Sequence, residues 1–269
     1  MTSKKFLYNW LLLLAAFIFL SWNQASDKWI SEKYESYNLH YTTCDTVLIR
    51  EYKDYTETGI KTVENFFRNN FPQNFELFIH PNRESLDKQW QTDWNMPDFK
   101  SECWMVASGV NTKLDILVPY TWDSLACEHS SKNKIKIQRI FTHELVHVYH
   151  GQHNISPDFS NTMGIDWFIE GLATFVSGQC DNKRILEVKD AIVNGNSPTN
   201  LDSFWKGNLR YGQSGTMLMF ISSNWKQEKL FELLQYNTKS EILKSLGTKE
   251  DELIKQWLSF MQNFNANSL

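Results

Sequence analysis

The residues most able to do chemistry lie in one short stretch, FTHELVHVYH, residues 141–150. Four of the chain's seven histidines fall between His143 and His153. On a helix, His143 and His147 lie about 40° apart on one face, so both imidazoles can reach one ion. Glu144 lies beside them, where a carboxylate can take a proton from the attacking water. This HExxH pattern predicts a zinc site with an adjacent general base.

A catalytic zinc needs a third protein ligand, and the sequence offers two candidates. His153 stands where the pattern HExxHxxGxxH has its third histidine, but that pattern requires a glycine where this chain has His150. Glu170 lies in DWFIEGLATFVSG, which is apolar on all sides and predicts a buried helix. A lone carboxylate there needs a compensating charge, which a metal ion would supply. Glu170 is therefore the expected third ligand, and His153 is the alternative. If Glu170 is the ligand, His150 and His153 are expected in a loop or next to the ligands.

HELVH together with WFIEGLA resembles the gluzincin branch of zinc metallopeptidases, specifically the peptidase MA-like group. The resemblance extends over residues 114–222. It implies that His143, His147 and Glu170 bind one zinc ion per chain. It also implies that Glu144 acts as general base and then as proton donor to the leaving amine.

The resemblance assigns roles to two further segments and also shows two departures. Tyr211 begins the motif Tyr-Gly-Gln-Ser214, which implies a hydrogen bond from its hydroxyl to the oxyanion. Leu114–Val118 would match the edge strand along which an extended substrate lies. The Gly-x-Met-Glu-Asn element of gluzincin aminopeptidases is absent from the sequence, which favours an endopeptidase. Thr174 stands where some gluzincins have an acidic residue that orients a zinc histidine, so Asp166 is expected to do this.

These observations predict an exported zinc-dependent metallopeptidase that acts on a peptide or protein substrate. One alternative is an exported or membrane-anchored protein of the zincin fold that binds or assembles with partners without turnover. Another is a metzincin-like peptidase that uses His153. The formal net charge of −4 gives no reason to expect a nucleic-acid partner.

The N-terminus predicts export. Two lysines precede an apolar run from Trp10 to Leu20, and polar residues follow, as is typical of a secretory signal within residues 1–26. The run can be extended to residues 6–22, which is long enough for an uncleaved membrane anchor. In either case the chain after Asp27 is expected outside the cytoplasm.

The cysteines agree with an exported chain but leave their pairing open. The chain has four: Cys44, Cys103, Cys127 and Cys180. None has CxxC spacing, so one or two disulfides are expected, with three possible pairings for two. Buried free thiols are the alternative.

Periodicity places these residues on a sequence of strands and helices. Short apolar runs predict strands at Asn38–Thr42 and Phe75–His80, and a hairpin from Cys103–Val110 and Leu114–Tyr120. Helical spacing predicts seven helices: Val47–Phe67, Ser130–Gly151, Asp166–Ser177, Lys183–Ile192, Tyr211–Ser222, Lys226–Tyr236 and Lys249–Phe264.

The order of these elements predicts an α+β protein of the zincin-like metallopeptidase fold. Residues 27–155 would form an N-terminal lobe with a mixed sheet and the HExxH helix. Residues 156–269 would form a helical C-terminal lobe that contains the glutamate ligand. Gly151 is expected to end the HExxH helix. Gly171 and Ala173 are expected to let the glutamate helix approach the HExxH helix closely.

Overall fold

The structure, a computed structural model, describes residues 28–264 of the 269-residue chain. The predicted signal peptide or anchor, residues 1–26, lies outside the described residues. Within residues 28–264, no helix has the length and apolar character that crossing a membrane requires. The described chain is a mixed α/β fold of five strands and 11 α-helices.

One mixed sheet contains all five strands. They are β1 (Trp29–Lys33), β2 (Tyr37–Thr42), β3 (Phe75–His80), β4 (Ala107–Val110) and β5 (Lys113–Leu117). Their spatial order is β1-β2-β3-β5-β4. Strands β2, β3 and β5 run parallel, while β1 pairs antiparallel with β2 and β4 antiparallel with β5. The predicted hairpin of β4 and β5 is thus confirmed, and β1 was not predicted.

Strand β4 forms one edge of the sheet, and this corrects a prediction. We expected Leu114–Val118 to be the edge strand, but β5 pairs with β3 on one side and with β4 on the other. The hairpin therefore inserts β5 into the sheet and leaves β4 outermost. In β3, Phe75, Leu77 and Ile79 are buried at alternate positions, so this face of the sheet packs on the core.

Each of the seven predicted helices is present, with ends shifted by up to four residues. The α-helices are α1 (Ile49–Phe67), α2 (Arg83–Asp93), α3 (Trp122–Leu125), α4 (Lys134–His153), α5 (Asp166–Val176), α6 (Asn182–Val193), α7 (Leu201–Phe204), α8 (Arg210–Trp225), α9 (Gln227–Leu233), α10 (Lys239–Leu246) and α11 (Glu250–Asn263). Helices α2, α3, α7 and α10 were not predicted.

Helix α4 is capped by Asn133 and ends later than predicted. The Asn133 side chain accepts a hydrogen bond from Lys136 N at 3.0 Å, which satisfies one of the free N–H groups of the first turn. The prediction that Gly151 ends the helix is wrong, because α4 continues to His153. A Cβ atom at Gly151 would lie 2.5 Å from Pro157 O and 2.6 Å from Asn111 N. Glycine is thus needed there for close packing.

One disulfide joins Cys103 to Cys127, with their Cα atoms 5.3 Å apart. It ties the segment before β4 to the segment before α4. The Arg83 side chain supports the same region, because it donates hydrogen bonds to Leu125 O at 2.8 Å and Met105 O at 2.9 Å. Cys180 is a buried free thiol. Of the one or two disulfides expected, one is therefore formed within the described residues, and the alternative of a buried free thiol is found at Cys180.

Candidate metal centre

Helix α4 carries both candidate histidine ligands on one buried face. His143 and His147 are one turn apart, and they are 6% and 7% exposed. Their Nε2 atoms lie 3.1 Å apart. The helix packs against α1, β4 and α5, which fixes the direction of this face. The same nitrogen of both rings therefore points to a common position.

Glu170, on α5, completes the cluster. Its Oε2 lies 3.4 Å from His143 Nε2 and 3.7 Å from His147 Nε2. Ligand atoms around a tetrahedral zinc ion, with bonds of about 2.0–2.1 Å, are about 3.3 Å apart. The three distances here, 3.1, 3.4 and 3.7 Å, bracket that value. The three residues therefore fit a zinc ion, and they form the one such group within residues 28–264.

The charges of the cluster also favour a cation. Burial acts to raise the pKa of Glu170, but His147 and His143 outweigh it and hold this pKa well below its usual range. Burial likewise acts to lower the pKa of His147, but Glu170 and Glu144 outweigh it, so this pKa is raised. The position where the three ligand atoms meet is thus one where positive charge is favourable.

Glu170 is positioned by the contact between α5 and α8. A Cβ atom at Gly171 would lie 2.7 Å from both Ser214 O and Leu218 Cδ2. The prediction that Gly171 lets α5 approach α4 is therefore wrong, because its missing side chain makes room for α8 instead. This contact also brings the start of α8 next to Glu170.

Glu144 is held against the edge strand β4. The Gly109 N–H donates a hydrogen bond to the Glu144 carboxylate. A Cβ atom at Gly109 would lie 2.2 Å from Glu144 O, so only glycine permits this approach of β4 to α4. Burial raises the pKa of Glu144, against the opposing effect of His143 and His147. The carboxylate is thus a stronger base than an exposed glutamate.

Tyr211 lies in the first turn of α8, opposite His143. The centres of the two rings are 6.4 Å apart. The ring of Tyr211 also packs edge-on against Trp205, at 4.9 Å. Burial, followed by the charge of Glu170, raises the pKa of its hydroxyl, and Arg210 acts in the opposite direction. The hydroxyl therefore remains protonated at neutral pH and can donate a hydrogen bond.

The other two histidines of the cluster in sequence lie away from the ligand atoms. Both His150 and His153 are on α4 and not in a loop. His153 Nδ1 is 2.8 Å from Tyr149 O, and its ring packs against Phe231 at 5.1 Å. His150 is fully buried against Phe159, and burial lowers its pKa to about 3. The structure thus gives no support to His153 as a ligand.

The role expected for Asp166, which was to orient a zinc histidine, is not found either. Within residues 28–264, Asp166 makes no hydrogen bond to His143 or His147, and His143 Nδ1 is buried with no hydrogen-bond partner. Burial, followed by the charge of Glu170, raises the pKa of Asp166. Thr174 is fully buried on α5 and does not take the place of an acidic residue.

All five predicted site residues line a single cleft of about 860 Å³: His143, Glu144, His147, Glu170 and Tyr211. The edge strand β4 lies along the same cleft, as do Trp104 and the side chains of Arg184 and Arg210. Sequence reasoning missed Gly109 and both arginines. The close approach of β4 to α4 has no local sequence signal, because it depends on residues 35 positions apart.

Known proteins resemble this chain in fold but not in sequence. No protein-family model matches it, and no curated protein matches it. A crystal structure of an M1 zinc metallopeptidase from Deinococcus radiodurans has a TM-score of 0.50 and 11% sequence identity, and covers 87% of this chain and 51% of that chain. A point mutant of that enzyme gives a TM-score of 0.49 and 10% identity, covering 86% and 52%. The chain spans about half the length of these metallopeptidases, and the likeness is one of fold.

Proposed function

We propose that this protein is an exported zinc metallopeptidase that hydrolyses peptide bonds as an endopeptidase. The convergence of His143 Nε2, His147 Nε2 and Glu170 Oε2 at distances suited to one zinc ion carries the proposal. The fold similarity to an M1 zinc metallopeptidase supports it. One zinc ion per chain would be held by these three side chains, which leaves one tetrahedral position for reactants.

Glu144 is the proposed general base. A bound zinc ion would supply Lewis-acid polarisation of the peptide carbonyl and would lower the pKa of the attacking water. Glu144 lines the cleft beside both histidines, where its carboxylate can take a proton from the attacking water. The Gly109 N–H holds one side of the carboxylate. Glu144 then passes the proton to the leaving amine.

Tyr211 is the proposed oxyanion donor. Its hydroxyl belongs to a ring 6.4 Å from that of His143, and burial keeps it protonated. A donor fixed in a cleft with little water stabilises the charge that develops on the carbonyl oxygen more strongly than water does. A Tyr211→Phe variant removes this donor and keeps the ring.

The edge strand β4 is the proposed substrate platform. One side of Ala107–Val110 pairs with β5, and the other side has no strand partner in the described sheet. An extended peptide can add to this side by main-chain hydrogen bonds, which holds its backbone in the cleft next to Glu144. This mode uses no side chain of the substrate, so it suits cleavage within a peptide.

The proposed peptidase is exported and folds into two lobes. The Cys103–Cys127 disulfide agrees with an oxidising compartment outside the cytoplasm. We propose that residues 1–26 direct export, as a cleaved signal or as an anchor through residues 6–22. Residues 27–155 and 156–269 would act as two lobes with the cleft between them.

Cleavage of a mixed peptide pool by the zinc-loaded protein, analysed by mass spectrometry, tests the proposal. Internal cuts are expected from the wild type. Glu144→Gln, with equal zinc content, is expected to cut about 10²–10⁴-fold more slowly, because the base is lost and the ligands remain. Equal cutting by both proteins would remove Glu144 from the mechanism. Cuts from one end alone would make the protein an exopeptidase, and zinc binding without cuts would favour a non-catalytic binding protein.

A further inference from the structure

Two arginines of the cleft lie outside the proposed catalytic machinery and flank Tyr211. The carbon atoms of the Arg184 and Arg210 guanidinium groups are each 5.3 Å from the centre of its ring. We propose that Arg210, assisted by Arg184, binds a carboxylate of the peptide substrate close to the scissile bond. This inference rests on the proposed peptidase function and gives it a substrate class.

The arginines of the cleft differ in whether they have a counterion. Arg139 forms an ion pair with Asp181 at 2.9 Å. Among residues 28–264, neither the Arg184 nor the Arg210 guanidinium has a carboxylate oxygen within 4.0 Å, although the Arg184 backbone N–H donates a hydrogen bond to Asp181 Oδ1 at 3.2 Å. Both are partly buried, so water screens their charge only in part. A partly desolvated guanidinium without a counterion gains more from an incoming anion than an exposed one.

Arg210 is also held in a fixed orientation. Its guanidinium carbon lies 5.6 Å from the ring of Trp104, 5.5 Å from Trp205 and 5.3 Å from Tyr211. Contacts with aromatic faces restrict the planar group and leave its N–H fork ready to bind a carboxylate. The guanidinium makes a side-chain hydrogen bond to Tyr211, but its Nε is buried with no hydrogen-bond partner among the described residues, so protein acceptors use only part of its N–H groups.

Arg184 approaches the same ring from α6. Its Nη1 donates a hydrogen bond to Gln179 O at 2.7 Å, which fixes one end of the guanidinium. This hydrogen bond holds the positively charged guanidinium of Arg184 near Tyr211. The two arginines therefore make this part of the cleft selective for negative charge, and a substrate with a lysine or arginine at this position would be repelled.

The distances limit where on the substrate the carboxylate can be. The rings of His143 and Tyr211 are 6.4 Å apart, and each guanidinium carbon is 5.3 Å from Tyr211. Each arginine is thus no more than about 12 Å from the His143 ring, and an extended peptide rises about 3.3 Å per residue. The carboxylate therefore lies within about four residues of the cleaved bond. It is either an acidic side chain or the C-terminal carboxylate of a short leaving segment.

Binding of matched peptides to the zinc-loaded Glu144→Gln protein tests the inference without turnover. The probes are fluorescein-labelled octapeptides of alanine and phenylalanine, measured by fluorescence anisotropy. One series moves a single glutamate, or glutamine, along an amidated peptide. The other compares a free C-terminus with an amidated one. A carboxylate in the right place is expected to tighten binding about tenfold or more, since a hydrogen-bonded charge pair is typically worth this much.

Variants in the same background assign the effect to the arginines. Arg210→Gln is expected to abolish the preference for the carboxylate, and Arg210→Lys to keep part of it. Lys183→Gln is the matched control, because Lys183 lines the same cleft but pairs with Glu187 at 3.8 Å. It should leave the preference unchanged. Zinc content and thermal unfolding of each variant show that folding is intact.

Failure of this inference alone and failure of the proposed function alone give different outcomes. A glutamate effect assigns the site to an acidic side chain, and a free-terminus effect assigns it to the C-terminal carboxylate. Equal binding of charged and neutral peptides, or an equal loss in Lys183→Gln, overturns the inference while leaving cleavage possible. Carboxylate-dependent binding without cleavage by the wild type keeps the inference and sinks the peptidase proposal. No binding of any peptide sinks both.

Discussion

Two clusters of histidine and carboxylate within residues 28–264 differ in how the histidine nitrogens are used: one in the sheet and one in the cleft. In the sheet, His80 Nδ1 lies 2.9 Å from Ser85 Oγ, and its Nε2 lies 2.9 Å from Asp115 Oδ1. Each nitrogen of His80 thus has a partner of its own. Asp115 also has Lys113 Nζ at 3.6 Å. This cluster is complete, and its residues have no need of a further ligand.

In the cleft, the corresponding groups are left incomplete. His143 and His147 point their Nε2 atoms at each other, 3.1 Å apart, and both approach one oxygen of Glu170. His143 Nδ1 is buried without a hydrogen-bond partner in the described chain. The comparison shows that convergence of ligand atoms, more than the presence of histidine and carboxylate, distinguishes a metal centre from a structural polar cluster.

Substitution of a zinc ligand should have the largest effect on zinc affinity. Only the cluster in the cleft should show this effect. Glu170→Ala is expected to weaken zinc binding more than 100-fold, because even residues that only support zinc ligands contribute about 10–100-fold. Asp115→Ala should leave zinc affinity unchanged. Competition with a fluorescent zinc chelator measures both.

His153→Ala serves as a second control for that measurement. It should keep full zinc affinity, because His153 is bonded to Tyr149 O and lies against Phe231. Retention of zinc by Glu170→Ala with its loss in His153→Ala would show that the ligand set is wrong.

Removal of zinc should lower stability through the incomplete cluster. If zinc binds only the folded state, a free zinc concentration 1,000 times the dissociation constant raises the free energy of unfolding by about 4 kcal/mol. Chelation should therefore lower the melting temperature of the wild type. The same treatment should not change the melting temperature of Glu170→Ala. An unchanged wild-type melting temperature after verified zinc removal would contradict a coupling of zinc to folding.

Disruption of the complete cluster should cost stability but not zinc. Asp115→Ala leaves His80 Nε2 buried without its acceptor, and Asp115 itself is only 3% exposed. The expected loss is about 1–3 kcal/mol in the free energy of unfolding, the usual cost of a buried unsatisfied group. Denaturant unfolding of zinc-free protein measures it. A loss of zinc in this variant would show that the two clusters are not independent.

Ser85→Ala should have the smallest effect. It removes the partner of His80 Nδ1, but Ser85 is only partly buried, so water can replace the hydroxyl. The expected loss is below about 1 kcal/mol, measured by the same unfolding experiment. A loss as large as that of Asp115→Ala would mean that this side of the cluster is closed to water.

Local patterns in the sequence carried the prediction of the ligands. The i, i+4 spacing of His143 and His147 sets their common face once a helix forms, and helical periodicity is a property of a short segment. The burial expected around Glu170 was visible in the same way, because its neighbours are apolar on every side of α5. These features depend on residues within one element, so sequence alone identifies them.

Long-range packing decided what the sequence left open. The strand order β3-β5-β4 places Ala107–Val110, and not Leu114–Val118, at the edge of the sheet. Either strand of the hairpin could pair with β3, and the hydrophobic pattern within each strand does not show which one does. Gly171 faces α8, since helix contacts depend on the crossing of whole elements. The predicted hydrogen bond from Asp166 to a zinc histidine is not found among the described residues.

The sequence by itself determined the chemistry that is possible here: a pair of histidines, a base beside them and a carboxylate in an apolar helix, each set by the pattern within one helix. Only the tertiary structure decided which residues of other elements surround this site. It brought Gly109 against Glu144, and within residues 28–264 it left the Arg184 and Arg210 guanidinium groups without counterions beside Tyr211. The physical reason is that spacing within a helix is set by backbone geometry. Contacts between elements instead depend on how all the buried surfaces of the chain fit together.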